Sequence, residues 1–112
     1  MARLITDFES ALPTLSKAVF SQPIDKTDYT KVSIRPVMLR GQLQYQLERF
    51  RDNKAFHQNV SGEELLKIAE SDLEGRYRQA LVVTDSATTQ YSLKQNGSYK
   101  KHTTASVPLP GA

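Results

Sequence analysis

Cysteine is absent from the 112 residues. Disulfide frameworks, thiolate zinc sites and thiol nucleophiles are excluded together. No apolar run approaches the roughly 18 residues that a membrane-crossing helix needs. The five glycines stand singly at positions 41, 62, 75, 97 and 111, so no glycine-rich loop can cradle a phosphate. The two histidines, His57 and His102, are far apart in sequence, and no serine has the Gly-x-Ser-x-Gly context of an activated nucleophile. Met1 to Ser10 carries one arginine and two acids but no apolar core, so a secretion signal is not read there. The expected address is the cytoplasm.

What is present is ordinary for a globular chain: 38% hydrophobic and 24% charged residues. The length suits one domain, and a chain of this size buries about two thirds of its unfolded surface. Fifteen basic residues face twelve acidic ones, for a formal charge of +3 and a pI near 9.3. Their spread is uneven. Residues 1–60 hold nine basic and six acidic groups, 61–75 one and five, and 76–112 five and one. An acidic helix between basic strands fits that pattern.

Periodicity supplies the elements. Thr6 with Glu9 matches a capping box, and Phe8, Ala11, Leu12, Leu15 and Val19 then recur at helical steps. Pro13 predicts a kink or a second short helix, and Pro23 ends the element. From Tyr29 the period becomes two. Val32 and Ile34 alternate with polar residues, and after Pro36 the apolar set moves to Val37 and Leu39, which predicts a bulge or edge irregularity. Gly41 turns the chain into the alternation of Leu43, Tyr45 and Leu47, and Asp52-Asn53-Lys54 turns it again into a short strand through Phe56. Ser61 and Glu64 cap a helix with the stripe Leu65, Leu66, Ala69 and Leu73, and Gly75 stops it. Three strands follow: Ala80–Thr84, Thr88–Lys94 and Ser98–Thr103. Asn96-Gly97 marks a hairpin whose register pairs Leu93 with either Lys100 or Tyr99.

The expected fold is α+β, an antiparallel sheet with helices on one face in the order α-β-β-β-α-β-β-β. Residues 1–103 form one domain, and 104–112 a Pro-rich tail or interdomain linker. The expected core is Phe8, Leu12, Leu15, Val19, Val32, Ile34, Leu43, Tyr45, Leu47, Leu65, Leu66, Ala69, Leu73, Leu81 and Val83.

No catalytic, cofactor or metal residues emerge, and the carboxylates Glu63, Glu70, Asp72 and Glu74 read as the wet face of a helix. Binding has the better case. Lys31, Arg35, Arg40 and Arg49 on the first strands, with Lys100 and Lys101 on the last hairpin beside Tyr91 and Tyr99, are candidate nucleic-acid contacts. Ordinary cross-strand packing and edge protection account for the same residues.

The stretch Lys31–Phe50, with Ile34-Arg35-Pro36-Val37-x-Leu39-x-Gly41-x-Leu43-x-Tyr45-Gln46, and the later Phe56-His57-x-Asn59 resemble a known pattern. It is that of the N-terminal region of bacterial class I S-adenosylmethionine-dependent methyltransferases of uncertain substrate. The resemblance implies an accessory domain that presents substrate, RNA being one class, to a C-terminal catalytic domain missing from this chain. It carries over no catalytic or cofactor residue. A free-standing weak nucleic-acid binder and a protein-interaction domain are the alternatives.

Overall fold

The computed structural model describes residues 4–105. Its elements are α1 (Leu4–Ala11), β1 (Leu15–Pro23), β2 (Lys31–Leu39), β3 (Gln42–Arg51), β4 (Lys54–Val60), α2 (Gly62–Ile68), β5 (Tyr77–Thr84), β6 (Ala87–Leu93) and β7 (Tyr99–Ala105). The strands form one antiparallel sheet in the order β4-β3-β2-β1-β5-β6-β7. Two meanders, β1 to β4 and β5 to β7, meet at the β1–β5 pair, and α2 carries the chain from the β4 edge back to the centre.

This overturns the expected α-β-β-β-α-β-β-β order with its helix layer: a seven-stranded sheet dominates, and two short helices cover only part of one of its faces. The protein is β-rich, with seven strands, one helix of eight residues and a second of seven that runs on into a five-residue π-helical turn. The error lies at Leu15–Pro23, whose Leu15 and Val19 continue the helical spacing of Phe8 and Leu12. Pro13 decides the matter. It sits in a 3-10 turn, Leu12–Thr14, and the chain leaves that turn extended at Leu15. A second helix beyond the proline would have to hide both Ala18 and Phe20, which lie at 0% and 1% exposure. As a strand between β2 and β5, the segment turns both onto one face and satisfies its backbone on two sides.

The same parity corrects the core. Val19 pairs with Leu81 across β1 and β5, and Lys17 with Val83, all on the opposite side from Ala18 and Phe20. Val19, Leu81 and Val83 are therefore only half-buried, Leu66 is partly buried, and Leu43 is 50% exposed. The core instead includes Leu4, Val60, Tyr77, Ala80, Val82 and Tyr91. Phe8 meets Phe20 edge-on at 6.2 Å, and Phe20 meets Tyr77 at 6.2 Å.

No bulge forms at Pro36. The β2–β3 register runs without a shift from Lys31↔Phe50 to Leu39↔Gln42. Pairing with β1 stops at Ile34, so beyond that point β2 is an edge on one side and tolerates a proline. Other local expectations hold. Ser61 Oγ accepts from Glu64 N at 3.2 Å, and Gly75 takes a φ of +76°. Leu93 pairs with Tyr99, which selects the three-residue loop. Thr6, by contrast, lies inside α1, whose first turn is capped from afar: Ile5 N donates to Glu74 Oε1 at 2.8 Å. Of the expected 104–112 tail, Thr104 and Ala105 belong to β7 and the rest lies outside the described residues. No helix among the described residues is long and apolar enough to cross a membrane.

Candidate functional site

Three surfaces follow from this register. The first is the outer end of the β2–β3 hairpin. Along the face that the helices cover, the row Ile34/Leu47 is followed by Pro36/Tyr45 and then Met38/Leu43. Cover ends at Tyr45, whose hydroxyl donates to the Leu12 carbonyl at 3.1 Å and whose ring lies beside Gly62. Among the described residues nothing covers the next pair. Met38 is 65% exposed, Leu43 50%, and Leu39, on the other face, 39%. Arg40 and Gly41 form the tight turn between them with φ of 52° and 78°.

The second surface is the sheet face that the helices leave open. Lys17, Lys31, Arg35 and Lys100 occupy strand positions on it, with Glu48 as the carboxylate of that face. Lys31 lies 4.5 Å from the centroid of its cross-strand neighbour Phe50. Arg35 donates from Nε and Nη2 to Gln46 Oε1 at 3.0 and 2.8 Å. Glu48 Oε2 stands 2.5 Å from Nε2 of its cross-strand neighbour His57.

The candidate nucleic-acid residues are thus divided. Lys31, Arg35 and Lys100 share the open face, but β2 and β7 are four strand spacings apart, about 19 Å. Arg40 is at the hairpin turn. Arg49 and Lys101 point to the helix-covered side, where Lys101 Nζ pairs with Asp7 Oδ2 at 3.0 Å. That carboxylate also accepts from Tyr91 Oη at 3.4 Å. Burial raises the Tyr91 hydroxyl's pKa above its ordinary value, and the Asp7 charge adds to the effect.

The third surface is a cavity of about 220 Å³ on the covered side, between Asp28-Tyr29, β3 and the π-helical turn Ala69–Leu73. Arg49, Arg76, Asp28 and Asp72 line it, over an apolar floor of Val32 and Leu73. Sequence periodicity had no means of finding it, because its charges come from three separate stretches, at 28, 49 and 72–76. The π turn closes with Glu74 N donating to the Ala69 carbonyl at 2.8 Å, and such turns recur at functional sites. Arg49 Nη1 donates to Gln58 Oε1 at 2.8 Å, and its guanidinium lies 5.9 Å from the Tyr29 ring centroid. Asp28 Oδ2 is buried, receives no hydrogen bond among the described residues, and forms a loose ion pair with Arg76 Nη1 at 3.8 Å. The Tyr77 hydroxyl donates to the Tyr29 carbonyl at 3.0 Å, and burial, aided by the Asp28 charge, pushes its pKa up to about 12.

No family model, curated protein or solved structure matches the chain. Among the described residues no group of three or more His, Cys, Asp or Glu side chains is placed to hold a metal ion.

Proposed function

We propose that this chain is a non-catalytic accessory domain that docks a second protein domain through the outer end of its β2–β3 hairpin. The uncovered Met38–Leu43 pair carries the reading. An apolar row whose Ile34, Leu47 and Tyr45 are core continues past the end of its helix cover. Burying side chains of this size on a partner stabilises a complex by about 1.5–3 kcal/mol each, enough for a small hot spot. The partner it fits has an apolar patch with an acidic rim. Arg40, in the turn beside the pair, is the cation such a rim would meet, and residues 29–47 contain no carboxylate. On the resemblance of residues 31–61, the favoured partner is the cofactor-bearing domain of a methyltransferase-like enzyme.

The test places a photoreactive benzophenone side chain at position 38 or 43 of the full chain in cells. The cross-linked protein is then purified and its affinity measured by calorimetry. Met38→Ser/Leu43→Ser is expected to weaken that purified complex at least tenfold while leaving the unfolding midpoint within experimental scatter. Cross-links spread over many proteins, or an affinity unchanged by the double substitution, refute the reading.

A second reading rests on the open face, where Lys17, Lys31 and Arg35 gather on adjoining strands: weak, salt-dependent binding of single-stranded RNA. Three or four phosphate contacts predict a slope of log K against log salt of about −2 to −3. Fluorescence anisotropy between low and physiological salt measures it. Lys31→Ala/Arg35→Ala is expected to flatten the slope, whereas Lys101→Ala, on the other face, is not. Undetectable binding at low salt ends this reading.

A further inference from the structure

The sheet ends in two edges of different build, β7 and β4. β7 carries Lys100, Lys101 and His102 within the strand, and lysines so placed keep other strands away from an edge. β4 has its lysine at Lys54, next to the turn. From Ala55 to Val60 it holds no lysine, arginine, carboxylate, proline or glycine. Its pairing with β3 runs unshifted from Arg51↔Lys54 to Tyr45↔Val60, so no bulge turns this edge away. Phe56 is 48% exposed on it.

The turn fixes which backbone groups face outward. Asp52 and Asn53 take φ of 53° and 62°, the type I′ two-residue loop, in which the flanking pair Arg51↔Lys54 exchanges both backbone bonds. Bonded and non-bonded pairs then alternate, so Phe50↔Ala55 makes none. The Phe50 carbonyl accordingly faces the other way and accepts from Thr30 N at 2.9 Å. Ala55, His57 and Asn59 therefore aim their N–H and C=O groups away from β3, where no strand among the described residues meets them.

We propose that β4 pairs antiparallel with β4 of a second copy of this chain, about a two-fold axis at His57. In that register Ala55 stands opposite Asn59 of the second copy and His57 opposite its own counterpart. Every outward group of the three residues then finds a partner in phase, and each pair exchanges two bonds. On the helix-covered side Phe56 falls against Gln58 of the second copy, and Lys54 meets Val60 rather than another lysine. On the open side His57 leans back to Glu48, its Nε2 2.5 Å from Oε2, and leaves the edge clear. The contact uses the same strand on both copies, so it closes at two, and the edges that remain are the lysine-bearing β7 strands. The hairpin tip takes no part in it, and failure of either proposal leaves the other standing.

Sedimentation equilibrium of the full chain, from micromolar to millimolar concentration, is expected to show a reversible dimer of twice the 12.6 kDa mass. Ala55→Lys/Asn59→Lys sets like charges opposite each other across the axis and is expected to weaken the dimer at least tenfold. His57→Pro removes an outward N–H that makes no bond within the sheet and is expected to do the same. The chain has no cysteine, and the two copies' residue 57 would lie about 5.5 Å apart, within disulfide reach. Under mild oxidation His57→Cys is therefore expected to cross-link at least tenfold faster than His102→Cys on the β7 edge. The proposal is overturned if the chain stays monomeric at millimolar concentration, or if His102→Cys cross-links as fast. It also fails if the dimer survives the double lysine substitution in a natively folded protein. A dimer kept in that variant but lost in Met38→Ser/Leu43→Ser would place the second copy on the hairpin tip instead.

Discussion

Phe20 and Val19 are adjacent in β1, and exchanging their roles would turn the strand's buried face outward. Phe20 is 1% exposed and touches the rings of Phe8 and Tyr77, whereas Val19 is half-buried on the other face. Truncating a buried phenylalanine to alanine typically costs about 3–5 kcal/mol. Each edge-on ring pair that the truncation abolishes accounts for about 0.5–1.5 kcal/mol of such a total. Phe20→Ala is thus expected to remove about 4 kcal/mol, a large part of the roughly 5–15 kcal/mol by which such domains are stable. Val19→Ala is expected to cost about 1 kcal/mol, because only part of its side chain leaves water on folding. Urea unfolding followed by circular dichroism separates the two. With a slope of about 2 kcal/mol per molar, the midpoint falls about 2 M for Phe20→Ala and about 0.5 M for Val19→Ala. Phe20→Leu keeps the measurement in range should the alanine variant be unfolded in water. On a helical Leu12-Leu15-Val19 stripe the order reverses. A larger loss at Val19 than at Phe20 would therefore refute the placement of β1 at the centre of the sheet.

Leu65→Ala is expected to cost about 2–5 kcal/mol and Leu66→Ala under about 1.5 kcal/mol. Only Leu65 is wholly enclosed, and the same urea titration distinguishes them. Ser61→Ala removes the acceptor for Glu64 N and is expected to lower stability by about 1 kcal/mol, with Ser61→Asp largely restoring it. Tyr77 is held neutral in the folded protein, with a pKa of about 12 against an ordinary 10.0. Between those values the unfolded chain has released a proton that the folded one retains. Its contribution to stability is full below pH 10 and declines toward pH 12. Absorbance of the tyrosinate at alkaline pH, recorded beside the unfolding midpoint, is expected to show Tyr77→Phe losing less stability than the wild type over that interval. Titration calorimetry of the chain with S-adenosylmethionine is expected to give no heat of binding, and a micromolar affinity would contradict the accessory reading.

Local chemistry was legible wherever a short stretch of chain decides its own conformation. Asn96-Gly97 and the glycines at 41 and 75 mark turns through their tolerance of positive φ, and the Ser61 cap needs only Glu64 three residues on. The alternation of Leu43, Tyr45 and Leu47 correctly announced β3, because period-two burial is a property of the strand itself. It did not reveal that Leu43 lies beyond the cover. That depends on where α1 and α2 end above the sheet, a fact about segments distant in sequence. The same holds for β1. Leu15 and Val19 satisfy a helical stripe as well as a strand, and only the need to pair β2 on one side and β5 on the other settles which backbone forms. The candidate basic residues were identifiable by charge, but strand order alone separated Lys31 and Arg35 from Lys100, and side-chain parity sent Arg49 to the covered side. The cavity that Arg49 enters joins it to Asp28 and to the stretch from Asp72 to Arg76. Composition and periodicity determined turns, caps and strand segments because those are governed by neighbours along the chain. Which residues share a face, which are covered and which charges meet was decided by the tertiary structure, because those depend on partners brought together only when the sheet is complete.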